Sequence, residues 1–254
     1  MITDDVAPLR YDVERWFMSG FEFRCGWEAL GLDHLPFPLA YRNRQRYMAE
    51  VEADRRAALA RVRADLTENR VRILEALRFP AFMTLGFGWI EGDAGKQLYR
   101  LFGVIGTTGY CAVITQDPSE QTIFGGDIQI TGCVNVDFPQ AILQALPKYQ
   151  PGTKPRKDGR FEDDETPAMF FRESTIAASI LLAGSADFTL DYELRNANYL
   201  TLTNIADDGA YLVNEGTKEF QIIPATVPNL LNVFKKVEKL QLKVAERLSA
   251  AKSG

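Results

Sequence analysis

Histidine is nearly absent from this 254-residue chain, cysteine and tryptophan are scarce, and no apolar run approaches the length of a membrane span. Each shortage excludes something. A single histidine, His34, has no second to share a metal with, and the chain has no Gly-x-Ser-x-Gly elbow to serve a Ser-His-Asp site. The three cysteines, Cys25, Cys111 and Cys133, are an odd number, widely spaced among apolar neighbours, as expected of reduced core thiols. A bilayer crossing takes about 20 apolar residues, so stable membrane insertion is not expected. The opening Met1-Ile2-Thr3-Asp4-Asp5 lacks the basic-then-apolar pattern of an export signal. A net charge of -5 and a pI of about 5.1 argue against nucleic acid as a partner. These absences together predict a cytoplasmic protein.

Glycine motifs for phosphate are absent too. Gly86-x-Gly88 is followed by Glu91 where a dinucleotide fingerprint has its third glycine. Gly95-Lys96 is followed by Gln97, and Ile90 stands where a P-loop has its first glycine. The arginines Arg55, Arg56, Arg61 and Arg63 are balanced by Glu50, Glu52, Asp54 and Asp65, which makes a solvated face. Asp207-Asp208-Gly209 is most simply a turn. No cofactor and no catalysis are expected.

What is present is ordinary globular material, 46% hydrophobic and 25% charged. Alternation from Val13 to Trp27, with Phe21, Phe23 and Cys25 on one side, predicts a half-buried strand. Helical spacing from about Gln45 to Leu77 predicts one long helix, or two broken near Thr67-Glu68-Asn69. Pro80 ends that run, and strands follow from Met83, from Leu98 to Ile105, from Tyr110 to Gln116 and from Thr122 to Val134. The small residues Thr84, Gly86 and Gly88 share a face that either admits a partner or accommodates packing. Asp137-Phe138-Pro139 opens a helix, with Asp137 as its cap. The polar stretch 147–167 is expected as a flexible connector.

The second half repeats that plan. Met169 to Leu182 is expected as helix, and strands follow at Phe188 to Leu194, Tyr199 to Ile205, Ala210 to Val213 and Lys218 to Ile223. Thr226-Val227-Pro228 then opens a last helix whose stripe is Leu230, Leu231, Phe234, Val237, Leu240, Val244 and Leu248. The same order twice predicts an α+β fold around one antiparallel sheet, pseudo-duplicated, over 1–254 with halves 1–146 and 168–254.

Several motifs resemble those of EspG proteins. They are Trp27-Glu28-Ala29-Leu30-Gly31-Leu32-Asp33-His34-Leu35-Pro36, the Ala/Arg/Leu helix after it, and Ala141-Ile142-Leu143-Gln144-Ala145-Leu146-Pro147 with Pro151-Gly152. The run Leu200 to Leu212, with Asp207, Asp208, Gly209 and Tyr211, resembles a late hairpin of the family. Leu200 or Thr201 stands where many members carry Trp, and the helical part after the connector is short, which marks a divergent branch.

The resemblance implies a central antiparallel sheet flanked by two helical parts with a quasi-two-fold, and a cytosolic chaperone of type VII (ESX) secretion. It implies as partner the tip of a PPE protein in a PE–PPE heterodimer, or a similar helical ESX substrate. It places the contact on Glu91, Gly92, Asp93, Ala94, Gly95, Lys96 and Gln97, on Arg100, and on the helix carrying Asn229, Asn232, Lys235, Lys236 and Lys239. A weak homodimer stays open. One rival is a small-molecule-binding or catalytic α+β domain with a pocket between sheet and helices. Another is a structural oligomer subunit that uses the last helix as a seam.

Overall fold

The computed structural model describes residues 7–10, 13–43, 47–93, 95–119 and 124–253. Strand β1 (Glu14–Met18) leads into three helices, α1 (Gly20–Ala29), α2 (Met48–Ala64) and α3 (Glu68–Arg78). The strands β2 (Pro80–Gly92), β3 (Gly95–Gly106), β4 (Tyr110–Gln116) and β5 (Ile128–Val134) then precede α4 (Phe138–Ala145). The second half opens with β6 (Lys157–Arg160) and the short α5 (Pro167–Phe170). It continues through β7 (Ile176–Ser185), a small hairpin of β8 (Asp187–Phe188) and β9 (Leu194–Arg195), then β10 (Asn198–Ile205), β11 (Gly209–Glu215), β12 (Glu219–Pro224) and α6 (Val227–Ser253).

Ten strands form one sheet in the order β1-β5-β4-β3-β2-β7-β10-β11-β12-β6. That order reads the same from both ends: edge strand, three meander strands, inner strand. The inner strands β2 and β7 pair antiparallel from Met83↔Ser185 to Ile90↔Ala178, so the seam between the halves is continuous hydrogen-bonded sheet. The pseudo-duplicated α+β plan is therefore the observed one.

Side chains fill both faces. The back face, bearing Phe82, Leu101, Ile180, Leu182 and Leu202, is covered by α4 and α6 through Phe138, Ile142 and Leu230. The front face of the first half, with Met83, Phe102, Val104 and Ile114, lies under Phe23 and Trp27 of α1 and Ile73 and Leu77 of α3. In the second half only Phe161, Phe170 and Phe171 pack there, against Tyr211 and Phe220 near the outer strands.

Several expectations fail for identifiable reasons. Of the expected strand Val13–Trp27, Glu14–Met18 is strand β1 and Gly20–Trp27 belongs to helix α1, because Ser19 and Glu22 form a capping box. The Glu22 amide donates to Ser19 Oγ at 3.2 Å, and the Ser19 amide donates to Glu22 Oε2 at 2.9 Å. Of the expected helix Met169–Leu182, only Met169 and Phe170 lie in the short α5, and Ile176–Leu182 is the first part of β7. The run Ile180-Leu181-Leu182-Ala183 is continuously apolar, and such a run cannot be told from helix by its period. The expected strand Phe188–Leu194 is the β8–β9 hairpin, whose turn residue Tyr192 has φ 61°. The first strand residues expected at Thr122 lie outside the described residues, and β5 begins at Ile128.

Asp137 occupies the cap position of α4 but makes no side-chain cap bond; its Oδ2 accepts from the Arg10 amide at 2.9 Å. The stretch 147–167, expected to be flexible, carries β6 as the sheet's edge strand. Within it the Gly152 amide donates to Ala210 O at 2.8 Å, and the Lys154 amide donates to Tyr211 Oη at 2.8 Å.

On α6 the apolar stripe is only partly core. Leu240 and Leu248 are exposed, while Gln241 is buried. Gln241 continues the Leu230, Phe234, Val237 face at 3.6-residue spacing, whereas Leu240 sits off it. Its amide donates to Asn196 O and to Asn198 Oδ1, both at 2.8 Å, and its Oε1 accepts from the Ala186 amide at 3.2 Å. These bonds fix α6 to the far end of the sheet.

All three cysteines are buried. Cys111 and Cys133 face each other across β4 and β5, and their mutual hydrogen bond and burial push the Cys111 thiol up. Burial raises Cys25 as well. A thiolate reagent is therefore expected to find none of the three in the native protein and all three after unfolding. Rapid labelling of native Cys111 or Cys133 would show that β4 and β5 open.

Candidate functional site

Strands β2 and β3 outrun their neighbours. Pairing with β7 stops at Ile90 and pairing with β4 starts at Arg100, so Glu91–Gly92 and Gly95–Lys96 project beyond both neighbours as a two-stranded arm. Here Glu91 faces Lys96 and Gly92 faces Gly95. Gly95 adopts φ +96°, which a glycine takes without strain. The Lys96 ammonium lies 3.8 Å from the Trp89 ring centroid, a cation–π contact that holds the arm's front side together. Asp93 and Gln97 flank the tip, and Ala94 lies outside the described residues.

Arg100 is 3% exposed, and burial draws its pKa down. Its side chain is thus part of the sheet's packing and is not offered at the surface.

The second expected group does not join the first. Asn229 is half-buried and its Nδ2 donates to Pro224 O at 2.9 Å, finishing the turn into α6. Asn232, Lys235, Lys236 and Lys239 are exposed on the outer side of α6, which covers the back face. Trp89 and Lys96 point to the front by strand alternation with Met83. The two groups therefore sit on opposite faces.

The glycine face of β2 is not a partner surface. A side chain on Gly86 would meet Leu182, Leu101 and Tyr99 at 3.1–3.4 Å, and one on Gly88 would meet Ser179 O at 1.9 Å. Those glycines serve internal packing.

The opposite face of β2 is different. Leu85, Phe87 and Trp89 are only half-buried, Leu181 on β7 is 40% exposed and Tyr199 on β10 is 53% exposed. Phe37, 56% exposed, stands beside them with its ring 4.9 Å from that of Phe87. The loop carrying Phe37 is clamped at two points. Trp27 Nε1 donates to His34 O at 2.8 Å, and Gln116 accepts from the Ala40 amide at 2.9 Å while donating to Ala40 O at 2.7 Å. The Trp27–Pro36 motif thus shapes one wall of an open apolar strip. Sequence reasoning missed this strip: Phe37 sat in a proline loop and Leu181 in the misassigned helix.

His34 itself is exposed and offers only its carbonyl to this clamp. His34→Ala is expected to leave melting temperature and partner binding unchanged, since the backbone acceptor survives. Loss of binding by a folded variant would make the imidazole a contact.

Little else suggests chemistry. No cluster of three His, Cys, Asp or Glu able to hold a metal occurs among the described residues. The Asp208 carboxylate accepts from the Thr153 and Tyr211 hydroxyls, which hold its pKa below the usual range. The turn at Asp207-Asp208-Gly209 is thereby spent on tying 150–154 to β11. The space between α4, α6 and the sheet is only about 30 Å³. A wider cleft of about 690 Å³, lined by Arg15, Gln129, Gln144 and Lys148 together with Leu9, Val13 and Val113, lies open at the outer edge by β1 and is of mixed polarity. Neither is the apolar pocket with convergent polar groups that a small-molecule site has. No described helix is long and apolar enough to cross a membrane.

No curated protein matches the chain. Among solved structures it is similar to the Mycobacterium tuberculosis type VII secretion system chaperone EspG5, solved in complex with a PE25-PPE41 dimer. The TM-score is 0.57 at 12% identity, over 88% of this chain and 95% of that one, a likeness of fold. The family model of the EspG family matches residues 19–158, which run from the cap of α1 through the clamped loop, the arm and α4 into β6. More than half of the sequence thus carries the family's pattern on the family's fold, and the chain belongs to the EspG family.

Proposed function

We propose that this protein is a chaperone of type VII (ESX) secretion that binds the tip of a PPE protein within a PE–PPE heterodimer, keeping it soluble for export. The observation that carries this reading is the family match over 19–158, set on a fold shared with a chaperone whose structure holds such a dimer. The chain works in the cytoplasm as one unit of two quasi-equivalent halves, without cofactor and without catalysis. A small helical dimer with an apolar tip needs a rigid apolar platform with a polar rim, and the sheet with its arm supplies one.

The contact is proposed to involve the arm, Glu91 to Gln97, with α6 from Asn229 to Lys239 as the other candidate. Lys96→Glu is expected to weaken co-purification of a PE–PPE pair by about 2 kcal/mol if the arm is central. Asn232→Asp combined with Lys236→Glu tests α6 in the same assay. If all these variants stay folded and bind as the parent does, neither element is the contact. Size-exclusion chromatography across a concentration series tests for a weak homodimer.

A further inference from the structure

The two edges of the sheet are finished differently. At one end β6 is a four-residue strand, Lys157-Asp158-Gly159-Arg160, and charges on and beside it pair, Lys157 with Glu165 at 2.5 Å and Arg156 with Asp158 at 2.8 Å. Such an edge is blunted against further pairing. At the other end β1 pairs with β5 alone, so alternate N–H and C=O groups on its outer side have no strand partner among the described residues. Phe17 of this strand is 72% exposed. It shares the back face with Val13 and Arg15, since Trp16 between them packs toward the front.

The open cleft of about 690 Å³ adjoins β1 on that same back face. Helix α4 has eight residues where its counterpart α6 has twenty-seven, so the outer strands run out from under their roof. Their floor turns polar there, at Thr115, Gln129 and Thr131. Gln144 of α4 builds the rim. Its Oε1 accepts from Arg15 Nη2 at 2.6 Å, and its Nε2 donates to Ala7 O at 3.2 Å. Gln140 donates to the same carbonyl at 2.6 Å, which holds Pro8 and Leu9 as a lip. Two cations, Arg15 and Lys148, line the cleft and no carboxylate among the described residues does, in a chain of net charge -5. Both cations are exposed, and neither has an ion pair among the described residues.

We propose that the free edge of β1 takes up an extended acidic segment of another protein, whose alternate side chains turn to the back face and set carboxylates against Arg15 and Lys148. An added strand draws its affinity from backbone hydrogen bonds to the edge and its selectivity from the side chains beside it. Here the edge supplies the first, and the uncompensated cations at the mouth of the cleft supply the second. Phe17 gives the segment an apolar neighbour on the same side. The inference stands apart from the chaperone reading, whose surfaces are the arm, the apolar strip and α6.

The test is fluorescence anisotropy of a labelled peptide of alternating Glu and Val, about eight residues long, titrated with the full chain. Saturable binding that weakens as salt is added is expected. Arg15→Glu and Lys148→Glu are each expected to weaken it about tenfold, with the melting temperature held because both side chains are exposed. Of two peptides N-methylated on alternate residues, one in each register, one is expected to lose binding, since its methyls block the bonds to β1. No binding by the parent chain, parent-like binding by both charge variants, or full binding by both methylated peptides overturns the proposal. Equal weakening by Lys236→Glu on α6 means that any positive charge draws the peptide, and overturns it as well. Displacement by the small dicarboxylate suberate at matched concentration would make the cleft a carboxylate site with no added strand, and the proposal fails. Binding that appears only in the Asp4→Asn, Asp5→Asn variant makes this chain's own first residues the occupant, and it fails again. The chaperone reading stands or falls separately, on binding of a PE–PPE pair.

Discussion

Trp27→Ala is expected to destabilise the chain by about 3–5 kcal/mol, the usual cost of deleting a buried indole. Trp27 is 1% exposed, lies 5.3 Å from the Tyr192 ring and 5.7 Å from Phe23, and anchors the loop at His34. The substitution therefore removes packing under α1 and also the donor to a backbone carbonyl. Against a typical total of about 5–15 kcal/mol, that loss approaches the limit of folding. Urea denaturation reads it directly. Trp27→Phe separates the two parts: most packing remains, the hydrogen bond is lost, and the loop bearing Phe37 loosens. A cost below about 1 kcal/mol for Trp27→Ala would mean that α1 is not docked as described.

The second large effect is expected at the seam. Gly88→Ala is expected to cost about 3 kcal/mol or more, because the new methyl would stand 1.9 Å from Ser179 O and 2.7 Å from Ile180 Cα. Both obstacles are backbone of β7, so relief requires β2 and β7 to part where the halves join. Gly86→Ala provides the comparison. Its methyl would meet only side-chain atoms at 3.1–3.4 Å, which can shift by a few tenths of an ångström. Thermal melts of the two variants should rank Gly88→Ala far below Gly86→Ala; equal melting would mean that the β2–β7 register differs from the one described.

The duplication was legible because its marks are local: a run of strands and then a helix with a proline near its start, at α4 and again at α6. The break between α2 and α3 was legible too, at Thr67, whose hydroxyl accepts from the Arg70 amide at 3.2 Å. What escaped is what depends on tertiary position. Ile176–Ser185 lacks alternation because Ile180 and Leu182 pack in the core on the α6 side while Ala183 and Ser185 are shut in from the front. Phe21–Cys25 alternates, yet a cap two residues upstream decides in favour of helix. The candidate surface was half legible. Alternation put Phe87 and Trp89 on one side of β2, but only the absence of a covering helix, visible in three dimensions, shows that side to be open. The lysines of α6 read as a surface from helical spacing, and they are one, on the other face of the sheet.

The central claim is that this EspG-family chain holds a PE–PPE heterodimer. Co-expression with PE–PPE pairs encoded beside it, followed by size-exclusion chromatography with light scattering, tests it most directly. The account predicts a single species containing one copy of each of the three chains, and a PPE protein that stays soluble only in its presence. Pairs that are fully soluble alone and elute apart from this chain would contradict it.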